Sequence, residues 1–251
     1  MSYKIAITGK GGVGKTTVAG LLINRLIQQK KTPILAVDAD PNTCLDRVLG
    51  VSVKNSIGSV REETRKLSTS SELKGIAKQE FLELKIAESL VESEHFDLIA
   101  MGRPEGAGCY CYANNVLKDV ILKLSNQYPY IVIDNEAGLE NLSRRIVQKV
   151  DLLIIVADPS KRGLDTLNRL YDLANEMKIE FDKVAIVINR LRGSEIPQYV
   201  LEIKDRINAA VIVGIPDDEE LAVFAENNEN LLELPESNKV LSIIENLINF
   251  D

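Results

Sequence analysis

At 251 residues, with 45% hydrophobic and 27% charged side chains, the chain has the composition of an ordinary globular protein with one substantial core. A net charge of −7 argues against nonspecific nucleic-acid binding. No apolar run approaches the ~20 residues of a membrane span. There is no secretion signal at the N-terminus, and three cysteines suit reduced thiols, so a cytoplasmic protein with no nucleic-acid and no membrane partner is expected.

Strand- and helix-like stretches alternate along the chain. The first strand is expected at Lys4–Thr8 and the first helix at Thr16–Gln29. Between them Gly9 to Thr17 reads GKGGVGKTT, which meets the phosphate-loop pattern with Gly9, Gly14, Lys15 and Thr16. In that pattern the backbone N–H groups of Gly11, Gly12, Val13, Gly14, Lys15, Thr16 and Thr17 surround an anion. Lys15 reaches the β- and γ-phosphates, and the Thr16 hydroxyl binds Mg²⁺. Lys10 is a second lysine that the pattern does not require. With it, the loop resembles the deviant phosphate loop of the family that includes septum-site and plasmid-partition ATPases, the nitrogenase iron protein and several metallochaperones. That resemblance implies that Lys10 crosses a homodimer interface to the partner's nucleotide. Two unit charges ~4 Å apart attract by roughly 4 kcal/mol at an effective dielectric near 20.

A second strand, Ile34–Asp38, leads into Asp38-Ala39-Asp40-Pro41-Asn42. Spacing of two puts both carboxylates on one side of an extended chain. One can orient Mg²⁺ through water while the other positions the attacking water. D-x-D-P resembles the family's first switch, which implies the hydrolysis position for Asp40; a plain Asp-Pro-Asn turn is the alternative. Cys44, just beyond, reads as a small buried hydrophobe. Residues 52–93 are polar, with a helix expected at Gly75–Val91, and form a possible helical insertion. His95, ahead of the strand Asp97–Met101, reads as a surface residue.

After that strand comes a glycine-rich run and Cys109-Tyr110-Cys111, then a helix at Asn114–Gln127. A nearby helix N-terminus favours thiolate, the metal-binding form. In extended chain, two such cysteines project to one side. A closed Zn²⁺ or Ni²⁺ site wants four ligands, which a two-fold dimer supplies. Buried cysteines, a local disulfide and a redox pair are the competing explanations.

The strand Tyr130–Asp134 ends in Asp134-Asn135-Glu136-Ala137-Gly138. A carboxylate there holds Mg²⁺ near the γ-phosphate, and Gly138 can offer it a backbone N–H. D-x-x-x-G resembles the family's second switch, although Asn135-Glu136 replaces its usual Ser/Thr-Pro, leaving the roles of both residues open. A helix at Asn141–Lys149, a strand at Leu152–Ala157 and a helix at Leu164–Met177 follow. The strand Lys183–Asn189 ends in Asn189-Arg190-Leu191-Arg192. An Asn189 amide suits an adenine edge. Arg192 stands where guanine-binding relatives carry an accepting Asp, which favours ATP. Beyond a helix at Glu195–Asn208 and a strand at Ala210–Val213, Gly214-Ile215-Pro216-Asp217 resembles the family's base-cradling turn, with Pro216 against the adenine. Helices at Asp218–Glu226 and Asn238–Asn249 close the chain. The last lacks a basic face and reads as a docking helix, not a membrane anchor.

The expected fold is α/β: a single domain over 1–251 with one doubly wound, mostly parallel sheet and helices on both faces. Taken together, the deviant loop, D-x-D-P, the second switch and C-x-C resemble the CooC-type ATPases that insert nickel into carbon monoxide dehydrogenase, with relatives in acetyl-CoA synthase maturation. This implies ATP and Mg²⁺ as cofactors, Ni²⁺ or Zn²⁺ between subunits at Cys109 and Cys111, and an apo nickel enzyme as client. A partition or positioning ATPase is the other reading.

Overall fold

The computed structural model describes residues 2–60, 86–103, 109–137, 149–193 and 195–249, with the backbone alone for 109–114. Among these, eight strands form one sheet: β1 (Tyr3–Gly9), β2 (Ile34–Ala39), β3 (Val91–Glu92), β4 (Phe96–Ala100), β5 (Tyr130–Asn135), β6 (Lys149–Ala157), β7 (Glu180–Leu191) and β8 (Val211–Pro216). The order is β3-β4-β2-β5-β1-β6-β7-β8, parallel throughout except where β3 pairs with β4. The doubly wound parallel sheet expected from the alternating pattern is therefore present.

The principal described helices are α1 (Lys15–Gln28), α2 (Leu45–Val48), α3 (Cys109–Leu124), α4 (Lys161–Glu176), α5 (Gln198–Arg206), α6 (Glu219–Asn227) and α7 (Lys239–Glu245). Alternate residues of each central strand enter opposite cores. Ile5, Ile7, Val132 and Ile154 pack with α1 and α7, while Ala6, Ile133, Leu153 and Ile155 pack with α3, α4 and α5. This double coverage explains the unbroken apolar runs of the strands. The C-terminal helix docks as expected: Val240, Leu241 and Ile244 are buried, and Glu245 pairs with Arg25 of α1.

Seven predicted strands are present, and the differences are local. Val91, assigned to a helix, lies in β3, a two-residue antiparallel edge too short to carry periodicity. Residues 75–85 of that predicted helix are outside the described residues. So are 141–148 of the helix expected at Asn141–Lys149, and Lys149 itself begins β6. The helix expected from Asn114 already includes Cys109, the first described residue beyond 103. Within the span 52–93, Ile57 is buried in the main core and β3 belongs to the sheet, so the described ends of that span are integral to the fold.

Candidate active site

Because β1, β2, β4, β5, β6, β7 and β8 run parallel, their C-terminal ends share one edge. That edge is where open α/β sheets bind ligands, at the point where the strand connections reverse direction. Here β1 lies between β5 and β6, and the chain winds outward on both sides of it.

The loop after β1 is shaped for an anion. Gly12 (φ 77°) and Gly14 (φ 95°) adopt the left-handed region that side chains disfavour. Gly14 caps α1 with no side-chain hydrogen bond, so the first-turn N–H groups stay available to a phosphate. Lys15 is 8% exposed, and its Nζ donates to the Lys10 carbonyl at 3.3 Å. Burial lowers its pKa, against the attraction of Asp134, Asp40 and Glu136. A buried ammonium facing three carboxylates and a ring of N–H groups suits a polyphosphate. Gly11 lies against Ala137, so loop and second switch touch.

Asp38 and Asp134 are adjacent in register, on the face of α1. Burial, then the neighbouring Asp38, push Asp134 up to about 7, opposed by a Thr16 hydrogen bond and by Lys15. Its Oδ1 is buried with no protein partner among the described residues. A buried oxygen without a donor, beside the Thr16 hydroxyl, fits a hard cation. Thr16 and Asp134 would hold Mg²⁺, which supplies charge neutralisation on the phosphates. Among the described residues no cluster of three or more His, Cys, Asp or Glu is placed to hold a metal ion by itself. Mg²⁺ in such sites takes few protein ligands and relies on water and phosphate.

Asp38, expected to orient Mg²⁺ through water, also organises its own loop. Its carboxylate accepts three backbone N–H groups, from Asp40 at 3.0 Å and from Cys44 and Leu45 at 2.9 Å each. Burial pushes it up to about 6 despite these bonds. It folds the first switch around itself. The side-by-side picture also needs correcting, because β2 ends at Ala39 and Asp40 lies in the bend beyond. There Asp40 Oδ1 accepts from Asn42 N–H (2.8 Å) and from its amide (3.0 Å). Cys44 is exposed, not buried, because it sits in the loop that caps α2.

Asn189, expected at the adenine edge, is held by bonds within the protein. Asn189 Nδ2 donates to the Val13 carbonyl at 2.8 Å, and its Oδ1 accepts from Arg190 N–H at 3.0 Å. Both ends of the amide are thus engaged inside the protein, and Asn189 braces the phosphate loop; a Cβ on Gly14 would strike it. Arg190 is exposed, with a left-handed φ of 62°. Leu191 pairs with Pro216, so the two loops assigned to the base lie side by side.

Lys10 is exposed on the loop. Within electrostatic reach of it is Asp158, at the exit of β6, which the motif reading missed. Against burial, hydrogen bonds from Ser160 and then the Lys10 ammonium draw its carboxyl below the usual value. Its position after a central parallel strand was the available signal. Gly138 lies outside the described residues. Cys109 and Cys111 occupy the first turn of α3. The same-side argument for extended chain therefore does not apply: residues two apart on a helix are about 200° apart around the axis.

Among known proteins, the family described as an AAA domain matches residues 2–186. An uncharacterised ATP-binding protein of Methanocaldococcus jannaschii is 43% identical over 244 residues, covering 97% of this chain and 96% of that one. The carbon monoxide dehydrogenase accessory protein CooC of Rhodospirillum rubrum is 29% identical over 228 residues, covering 86% and 84%. The fold matches the septum site-determining protein MinD of Pyrococcus horikoshii, complexed with Mg-ADP, at a TM-score of 0.69 and 20% identity over 97% of this chain and 93% of that one. The chain belongs to the AAA domain family and is a phosphate-loop ATPase.

Proposed function

We propose that this ATPase is a metallochaperone: a single ATPase domain that dimerises with nucleotide, binds one Ni²⁺ or Zn²⁺ as cargo between subunits, and delivers nickel to an apo enzyme of the carbon monoxide dehydrogenase or acetyl-CoA synthase type. The carrying observation is placement. Cys109 and Cys111 open the helix that follows β4, on the sheet edge that also bears the phosphate loop and the first switch. Similarity to CooC supports the reading. A helix start favours thiolate.

In the proposed cycle Lys15 and the loop N–H groups hold the β- and γ-phosphates. Asp38 folds the loop that carries Asp40, and Asp40 orients the attacking water. Arg190 and Pro216 border the base, while Asn189 holds the loop beneath it. The test is metal titration followed through sulfur X-ray absorption. One metal per dimer with four sulfurs at ~2.3 Å for zinc is expected, and is lost in Cys109→Ser with Cys111→Ser. One metal per monomer, indifferent to these changes, would favour the partition or positioning reading.

Lys10 gives a separate prediction. Its exposed ammonium is not among the groups that hold Lys15 and lies within electrostatic reach of Asp158. Lys10→Ala is expected to bind ATP within about threefold of the parent yet associate at least ~10-fold more weakly in ATP, the loss of one or two charge contacts. Light scattering with ATP reads this out, and equal dimerisation of the two proteins would remove the cross-subunit role.

A further inference from the structure

Asn135 ends β5 and is 1% exposed. Its Nδ2 donates to the Ile7 carbonyl at 2.9 Å, close to where β1 enters the phosphate loop. Its Oδ1 is buried with no protein partner among the described residues. The two ends of the amide are not interchangeable, because only the nitrogen can face a carbonyl. By strand alternation Asn135 shares a face with Ile131 and Ile133, opposite Asp134. Its register neighbour is Ala39, the last residue before Asp40. This one side chain therefore lies between the strand ends that lead to the phosphate loop, the first switch and the second switch. The Mg²⁺ reading accounts for the unpaired oxygen of Asp134. It does not account for that of Asn135, which lies on the other face of the sheet.

A buried acceptor without a donor weakens a fold, and one retained in a folded protein calls for a reason, a functional role or a bound water among them. We propose that Asn135 is a positioning residue for ATP hydrolysis. Its nitrogen pins the end of β5 to β1, and its oxygen takes a hydrogen-bond donor that bound Mg-ATP brings up, setting the switch carboxylates against the γ-phosphate. The inference rests on the second-switch assignment made above. Asn135 contacts neither phosphate nor reacting water, so its effect falls on turnover and not on affinity.

The experiment compares steady-state hydrolysis and thermal unfolding of Asn135→Leu and Asp134→Ala with the parent. The leucine matches the amide in shape and removes both the unpaired oxygen and the bond to the Ile7 carbonyl. Loss of the Ile7 bond is offset by removal of the unpaired acceptor, so Asn135→Leu is expected to melt close to the parent. Its KM for ATP stays within about threefold while kcat falls at least ~10-fold, the scale of a small misplacement at a reacting centre. Unchanged kcat, or a kcat that falls only in step with stability, would overturn the proposal. Full turnover in Asp134→Ala would remove the second-switch assignment itself; loss there beside normal Asn135→Leu turnover removes this inference alone. Should the leucine variant not fold, the Asn135 side-chain amide resonance, assigned with Asn135→Asp, carries the test. It is expected to shift with Mg²⁺ and a non-hydrolysable ATP analogue and to stay put with Mg-ADP. A resonance unmoved by the ATP analogue counts against the proposal.

Discussion

Replacing Asp134 by Asn is expected to stabilise the nucleotide-free protein at pH 8 and to abolish Mg²⁺-dependent hydrolysis. Burial and the neighbouring Asp38 raise the Asp134 carboxyl from 3.8 to about 7 in the folded state. The folded protein thus keeps a proton between pH 4 and 7 that the unfolded chain has released. Stability from this group is greatest in acid, declines as pH rises through that window, and stays low above it. The displacement corresponds to at most about 4 kcal/mol, which the amide variant regains at pH 8 because it carries no charge to bury. Thermal melts at pH 5 and pH 8, without nucleotide or metal, read this directly. The parent loses stability between the two values and the variant loses less. Adding Mg-ATP reverses the ranking, since a ligand that binds only the folded state stabilises it by mass action. A variant no more stable than the parent at pH 8 would mean that burial does not strain this carboxylate.

Lys15→Ala and Asp40→Ala are expected to fail in different ways. Lys15 supplies a buried positive charge to the phosphate loop. Losing it leaves the N–H groups but removes the charge-assisted contact, so affinity and turnover fall together, by roughly 10²-fold or more in kcat/KM. Asp40 stands in the loop that Asp38 organises, outside the phosphate cradle. Its removal leaves the cradle intact, so ATP binding persists within a few-fold. Turnover falls by roughly 10²–10⁴, the scale of losing the group that orients or activates water. Equilibrium binding of a fluorescent ATP analogue alongside single-turnover hydrolysis separates the two cases. Normal hydrolysis by the Asp40 variant would take that residue out of the mechanism, and intact affinity in the Lys15 variant would do the same for the cradle.

Much of the architecture is legible in the chain itself. Strands buried on both faces must be apolar throughout, and runs such as Leu152 to Val156 announce themselves for that reason. The phosphate loop is equally plain, because left-handed backbone at Gly12 and Gly14 and a lysine at the helix start are local requirements that must appear in local sequence. Parallel alternation then carries every strand-end motif to one edge, so the sequence placed the site as well as the fold. What local pattern could not reveal depended on partners distant along the chain. The two-residue β3 exists only because β4 offers an edge. Cys109 is helical despite the glycines before it, which changes what C-x-C can present. Asp38 is a loop organiser because Cys44 and Leu45 fold back onto it. Asn189 braces Val13 across 176 residues of chain, and Asn135 reaches Ile7 across 128. Each of these roles is decided by which groups remain unpaired after packing, and pairing is a property of the folded arrangement alone.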